Sequence, residues 1–136
     1  MKKLLTTSLF YCVLGLVAGI YYREITKYTE FTGKTQLSVL HTHLLMLGMF
    51  MFLIVLLLEK NFGIMASKKF NAFYYIYNAG LLLTVGLLTF HGTMTVLGKE
   101  TGAAVSGIAG LGHILLAVGL VVLFIMMYER LREENK

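Results

Sequence analysis

Proline is absent from this 136-residue chain, aspartate is absent too, and there is a single cysteine, Cys12. Without proline, none of its helices carries a proline kink. One cysteine excludes an intrachain disulfide and the CxxCH attachment of c-type haem, and Cys12 reads as a small apolar helix residue. All seven acidic residues are glutamates, and they fall in the loops and tails between apolar runs. The apolar runs therefore offer no carboxylate for magnesium, calcium or manganese, and none for a carboxylate proton relay. Charge is scarce, at 14% against 57% apolar residues. Too little polar sequence remains to clothe a water-facing fold.

What is present is four long apolar runs, at about 7–22, 37–58, 73–97 and 103–128, each near the roughly 20 residues that a spanning helix needs. They predict an all-α four-transmembrane-helix bundle, a single integral membrane domain over residues 1–136. The start, Met1-Lys2-Lys3 with an apolar stretch to Gly19, also resembles a secretory signal peptide. We read it as a retained helix, and no small-residue lipobox precedes Cys12. The first loop, 23–36, is polar and amphipathic and is expected at the outer interface. The second, 59–71, is basic. The third, 98–102, is so short that the helices it joins must be antiparallel neighbours.

Basic residues orient the chain. Lys2, Lys3, Lys60, Lys68, Lys69, Arg130, Arg132 and Lys136 lie on one side, and only Arg23, Lys27, Lys34 and Lys99 on the other. Eight against four places both termini in the cytoplasm. These flanks and anionic lipid account for the net charge of +5, with no need for nucleic acid.

Four histidines, His41, His43, His91 and His113, are the ionisable groups inside the apolar runs. An intramembrane histidine is costly and by default marks a functional site. From a rise of about 1.5 Å per residue, they lie roughly 7, 10, 10 and 15 Å from the outer helix ends. All four thus share the outer half, which points to one site or two adjacent ones. Residues 41 and 43 differ by about 200° around a helix, so they serve separate centres and cannot chelate one ion together. Zinc pairs prefer a spacing of three or four, as in HExxH. Haem needs one ligand per helix face.

The surroundings of His113 favour haem. Gly102, Ser106, Ala109, Gly110 and Ala117 share its face and are all small, as a flat porphyrin requires; close helix packing through small pairs such as Ser106 and Gly110 would use them equally well. On the third helix, Tyr77, Thr84, His91 and Thr95 fall within about 40° of one direction, a polar seam facing protein or cofactor. His91 reads equally as a structural histidine bonded to a carbonyl or threonine. On the first helix Ser8, Gly15 and Gly19 share a side, and Arg23 stands at the level of haem propionates emerging outward. Met46, Met49, Met51, Met94, Met126 and Met127 keep copper(I) as a secondary cofactor, although methionine is ordinary filling in apolar helices. An offset of 70 aligns His43-Leu-Leu…Glu59-Lys60 with His113-Ile-Leu…Glu129-Arg130. Either two helical hairpins are duplicated about an axis along the membrane normal, or two leucine-rich helices align by composition.

The segment His41-Thr-His43-Leu-Leu-Met-Leu-Gly48 resembles the His-x-His-Leu helix of the haem–copper oxidase and nitric oxide reductase catalytic subunit. The resemblance covers about ten residues and implies that His41 and His43 are axial ligands to separate irons. In that family, twelve helices form three four-helix arcs, so one such chain resembles a single arc. This implies a homo-oligomer, a trimer before a dimer, with haem between neighbouring subunits. The adjacent histidine pair of the oxidase copper site and the intramembrane glutamates of the reductases have no counterpart here. Complete oxygen or nitric oxide reduction is therefore not expected. The chain is also similar to a small family of bacterial four-helix membrane proteins, which implies the bacterial cytoplasmic membrane.

The leading expectation is a b-type haem protein with bis-histidine ligation, working in electron transfer, haem handling or sensing with a redox partner. His43 would pair with His113 and leave His41 and His91 for a second centre, or His41 and His43 of adjacent subunits would share each haem. A copper or zinc transporter or sensor using His and Met, and a structural accessory subunit, are the competing classes.

Overall fold

A computed structural model describes residues 1–134, with the side chains of Ser106 and Glu134 outside the description; Lys136, counted in the charge argument, also lies outside it. Four helices are long and apolar enough to cross a membrane. They are α1 (Lys2–Tyr28), α2 (Leu37–Phe62), α3 (Phe70–Val96) and α4 (Ala103–Glu134).

The helices outrun the apolar segments from which they were expected. α1 runs past 22 to Tyr28, so the first loop is half as long as its polarity implies. The reason is amphipathicity: Tyr21, Tyr22 and Ile25 stay packed on the core while Arg23, Glu24 and Lys27 project outward. Thr26 and Thr29 bend their hydroxyls back to the carbonyls of Tyr22 and Ile25, both at 2.8 Å. Two residues past α1, Glu30 lies in the left-handed region at φ 51°, a conformation that costs a non-glycine residue on the order of 1 kcal/mol. α2 continues to Phe62 and stops at Gly63, φ 60°, the usual left-handed glycine past a helix end. The basic second loop contracts into a short 3₁₀ turn, Ile64–Ala66, whose Met65 N–H donates to the Glu59 carboxylate at 2.6 Å. Glu24, Glu59, Glu129 and Glu133 thus lie in helical end turns, not in loops.

The chain packs as two tight hairpins, α1 with α2 and α3 with α4. Glycine sets both approaches. In the first, Gly15 faces Leu45 and Gly48 lies under Tyr11; in the second, Gly80 and Gly112 bring the α3 and α4 backbones together and Gly119 lies against Tyr77. Such small-residue seams are how apolar helices associate in lipid, where no hydrophobic drive separates them from solvent. α3 joins the hairpins: Tyr21 and Thr93 bond across α1 and α3 at 2.9 Å, and Thr35, just before α2, donates to the Gly92 carbonyl at 2.8 Å. The largest buried side chains, Tyr11, Phe52, Phe73 and Tyr77, fill the half of the bundle nearer the termini. Tyr11 stacks on Phe52 with ring centroids 5.9 Å apart.

α2 is not a uniform α-helix. Between α-helical Leu37–His43 and Met51–Phe62 it carries a seven-residue π-helical stretch, Leu44–Phe50. Nothing in the apolar sequence of that stretch announces it.

Candidate functional site

His43 is the last residue of α2 before the π stretch, and His113 lies ten positions into α4. The two rings have the same local geometry. His43 Nδ1 is 2.9 Å from the Val39 carbonyl, and His113 Nδ1 is 2.9 Å from the Ala109 carbonyl, each four residues back. A carbonyl oxygen only accepts, so Nδ1 is the donor in each pair, and in a neutral imidazole so bonded the lone pair falls on Nε2. Bonding one ring nitrogen to protein so that the other is left basic and aimed is how a histidine is prepared as a metal ligand. His113 is exposed, and half-buried His43 lines a shallow hollow of about 240 Å³ with Thr42, Met46 and Leu47. Both rings therefore belong to the outside of this chain.

His41 turns the other way, as its two-residue offset from His43 requires. It faces α1, where a Cβ on Gly19 would lie 3.8 Å from the His41 Cβ. Its Nδ1 is buried without a partner, and its Nε2 is 3.4 Å from the Thr42 hydroxyl. This ring lacks the backbone hydrogen bond that orients His43 and His113. His91 stands near the end of α3 in a hollow of about 420 Å³ with Thr95, Lys99, Glu100 and Thr101. The Thr95 hydroxyl donates to the His91 carbonyl at 3.0 Å. Arg23 is exposed and lies beside Glu24 at 3.8 Å.

The four imidazoles share one half of the bundle. Among the described residues, no three His, Cys, Asp or Glu side chains could hold one ion. Helical phase turns His41 toward α1 and His43 to the surface, as the two-residue offset predicts, and His113 is exposed. The small residues beside His113 follow it. A Cβ on Gly102 or Gly110 would meet nothing within 4 Å, and Ala117 is exposed. Ser106, placed on the same face by the sequence, has its side chain outside the described residues. The glycines that pack α4 on α3, Gly112 and Gly119, lie on its other side. This donor set leaves His43 and His113 at the chain's surface on two different helices. It does not fit a tetrahedral ion inside one chain.

Of the polar seam on α3, Tyr77 and Thr84 are buried in protein, and His91 and Thr95 are half-buried at its far end. A polar network around that seam has no single-helix signature. The Tyr11 hydroxyl donates to Asn78 Oδ1 at 2.7 Å, and Thr7 and Tyr74 share a hydrogen bond of 2.7 Å. Asn78 Nδ2 donates to the Tyr74 carbonyl at 2.7 Å. Ser8 donates to the Met49 carbonyl and Tyr77 to the Leu47 carbonyl, both at 2.9 Å. Those two carbonyls lie in the π stretch.

No curated protein and no solved structure matches the chain. Residues 1–130 match the family described as protein of unknown function (DUF2871), and the chain belongs to that family.

Proposed function

We propose that the chain is a b-type haem-binding protein of the bacterial cytoplasmic membrane, with both termini in the cytoplasm, and that it holds haem between copies of itself. The observation that carries this reading is the matched pair His43 and His113. Each is deep in an apolar span, each has its Nδ1 bonded to the carbonyl four residues back, and each ring lies at the chain's own surface with Nε2 outside that bond. An unpaired imidazole facing lipid at such depth is unfavourable, so a ligand on that face removes a cost as well as forming a bond. The small face of Gly102, Gly110 and Ala117 gives a planar group room against α4. The His-x-His resemblance and the offset of 70 residues support the same assignment. His43 of one copy and His113 of its neighbour would then grip opposite sides of one haem in a homo-oligomer, with a trimer favoured. When bound with both axial positions filled by imidazole, haem supplies one-electron transfer. His43 and His113 set the ligand field, their backbone acceptors hold the rings, and the surrounding helices exclude water.

Reconstituted in nanodiscs large enough for several copies, the protein with haemin should give a sharp Soret band and low-spin α/β bands on reduction. His43→Ala and His113→Ala, each alone, should lose that signature. Mixing the two variants should restore part of it, because one junction then has both imidazoles. Pairing within one chain predicts no restoration. A wild-type protein that stays colourless with haemin, or takes up copper(I) in its place, refutes the reading.

A further inference from the structure

The π stretch of α2 is tied to its neighbours by its own backbone. A π turn closes its hydrogen bonds over five residues where an α turn uses four, so it carries about one residue more and loosens the regular ladder of carbonyl acceptors. Here the carbonyls at the middle of the stretch receive side-chain donors from two other helices. Ser8 of α1 donates to Met49, and Tyr77 of α3 donates to Leu47. Gly48, between them, lies under the Tyr11 ring. The buried residues Leu40, Leu44, Gly48 and Phe52 recur every four positions. In a regular α-helix three such steps would drift by about 120° around the axis, whereas a wider turn keeps them on one face.

We infer that Ser8 and Tyr77 are positioning residues for the histidines: they hold the π turn open, and the π turn sets the direction in which His41 and His43 point. If the stretch annealed into α-helix with all its residues retained, the segment above it would rotate by about 100°, one residue's worth of α-helical twist. His43 would leave its outward direction, and His41 would leave α1. Part of the test rests on the haem reading, and part does not.

The independent arm uses a Cys12→Ser background with single cysteines at positions 39, 43, 46 and 50, each spin-labelled in nanodiscs without haem. Their accessibility to lipid-soluble oxygen reports which way each position faces. Ser8→Ala combined with Tyr77→Phe should exchange exposed for shielded positions at 39 and 43 and leave 57 and 58, probed likewise below the turn, unchanged. Ser8→Thr, which keeps a hydroxyl, should restore the wild-type pattern at 39 and 43. Deleting the lipid-facing Met46 removes the extra residue, so the turn closes without rotating the segment, and the pattern should again be wild-type. An unchanged pattern in the double variant overturns the inference whatever the chain binds, and so does a rotation in the Met46 deletion. Helix content by circular dichroism shows that each variant is folded. In the haem arm, the double variant should lose the low-spin spectrum while Ser8→Thr keeps it; a wild type without haem uptake defeats the functional reading and leaves the spin-label result standing.

Discussion

A Cβ built on Gly48 would lie 2.5 Å from the Tyr11 Cβ and against its ring, and Tyr11 is fully buried and stacked on Phe52. The ring cannot retreat, so Gly48→Ala should overpack the α1–α2 seam and cost about 1–3 kcal/mol. Thermal unfolding in detergent checks this, with Gly86→Ala as the contrast. A Cβ at Gly86 meets nothing within 4 Å, so that variant should be neutral or gain up to about 1 kcal/mol from helix propensity. Tyr11→Phe keeps the stacked ring and strips Asn78 Oδ1 of its donor. Intramembrane hydrogen bonds of this kind contribute about 0.6 kcal/mol on average and up to about 1.7, and the same melting assay should show a loss of that size. Neither pairing was legible beforehand. Tyr11 and Asn78 lie 67 positions apart, and one sequence does not reveal which helix a polar side chain meets. The divergence of His41 and His43 was legible, because it needs only the twist of the helix that carries both.

On α4 two sets of small residues look alike in the sequence and do different work. Gly112 faces α3, where a Cβ would collide with the Thr84 hydroxyl and approach Thr84 N at 3.1 Å and the Gly80 carbonyl at 3.2 Å. Gly110 faces open space. Gly112→Val should therefore part α3 from α4 and lower the melting temperature, with or without haem. Gly110→Val should leave the melting of the cofactor-free chain unchanged and weaken haemin uptake in titration, because it fills the surface beside His113. Equal stability losses from both would mean that Gly110 packs inside the chain. Helix number followed from apolar run length, and the antiparallel α3–α4 pair from the five-residue third loop. The helix ends did not follow, because charge was read as a stop signal. Residues such as Arg23 and Lys27 can stay helical on an exposed face while the apolar face continues. The π turn was hidden for a different reason: Leu44–Phe50 is apolar apart from Gly48, and its extra residue shows only once the buried positions are known.

For the whole molecule, the charge asymmetry has a structural counterpart. At the end bearing the termini, Lys69 pairs with Glu129, and Arg130 donates to the Phe62 carbonyl at 3.0 Å and to Glu133 at 2.5 Å. The second loop is thereby clasped to the last turns of α4. Lys68 lines a hollow at this end together with Lys69, Glu129 and Arg130. The basic excess at this end predicts that it faces the cytoplasm. In a Cys12→Ser background, a membrane-impermeant maleimide applied to spheroplasts should label cysteine at Lys99 and spare cysteine at Lys68 until the membrane is opened. The reverse pattern would turn the molecule over. That result bears on the proposed chemistry, since His43 and His113 both lie in the half of the bundle away from the termini. With the termini inside, a haem gripped there sits closer to the outer surface than to the cytoplasm. A membrane-impermeant reductant added outside right-side-out vesicles should then reduce it faster than the same reductant enclosed within, and an inverted molecule should show the opposite order.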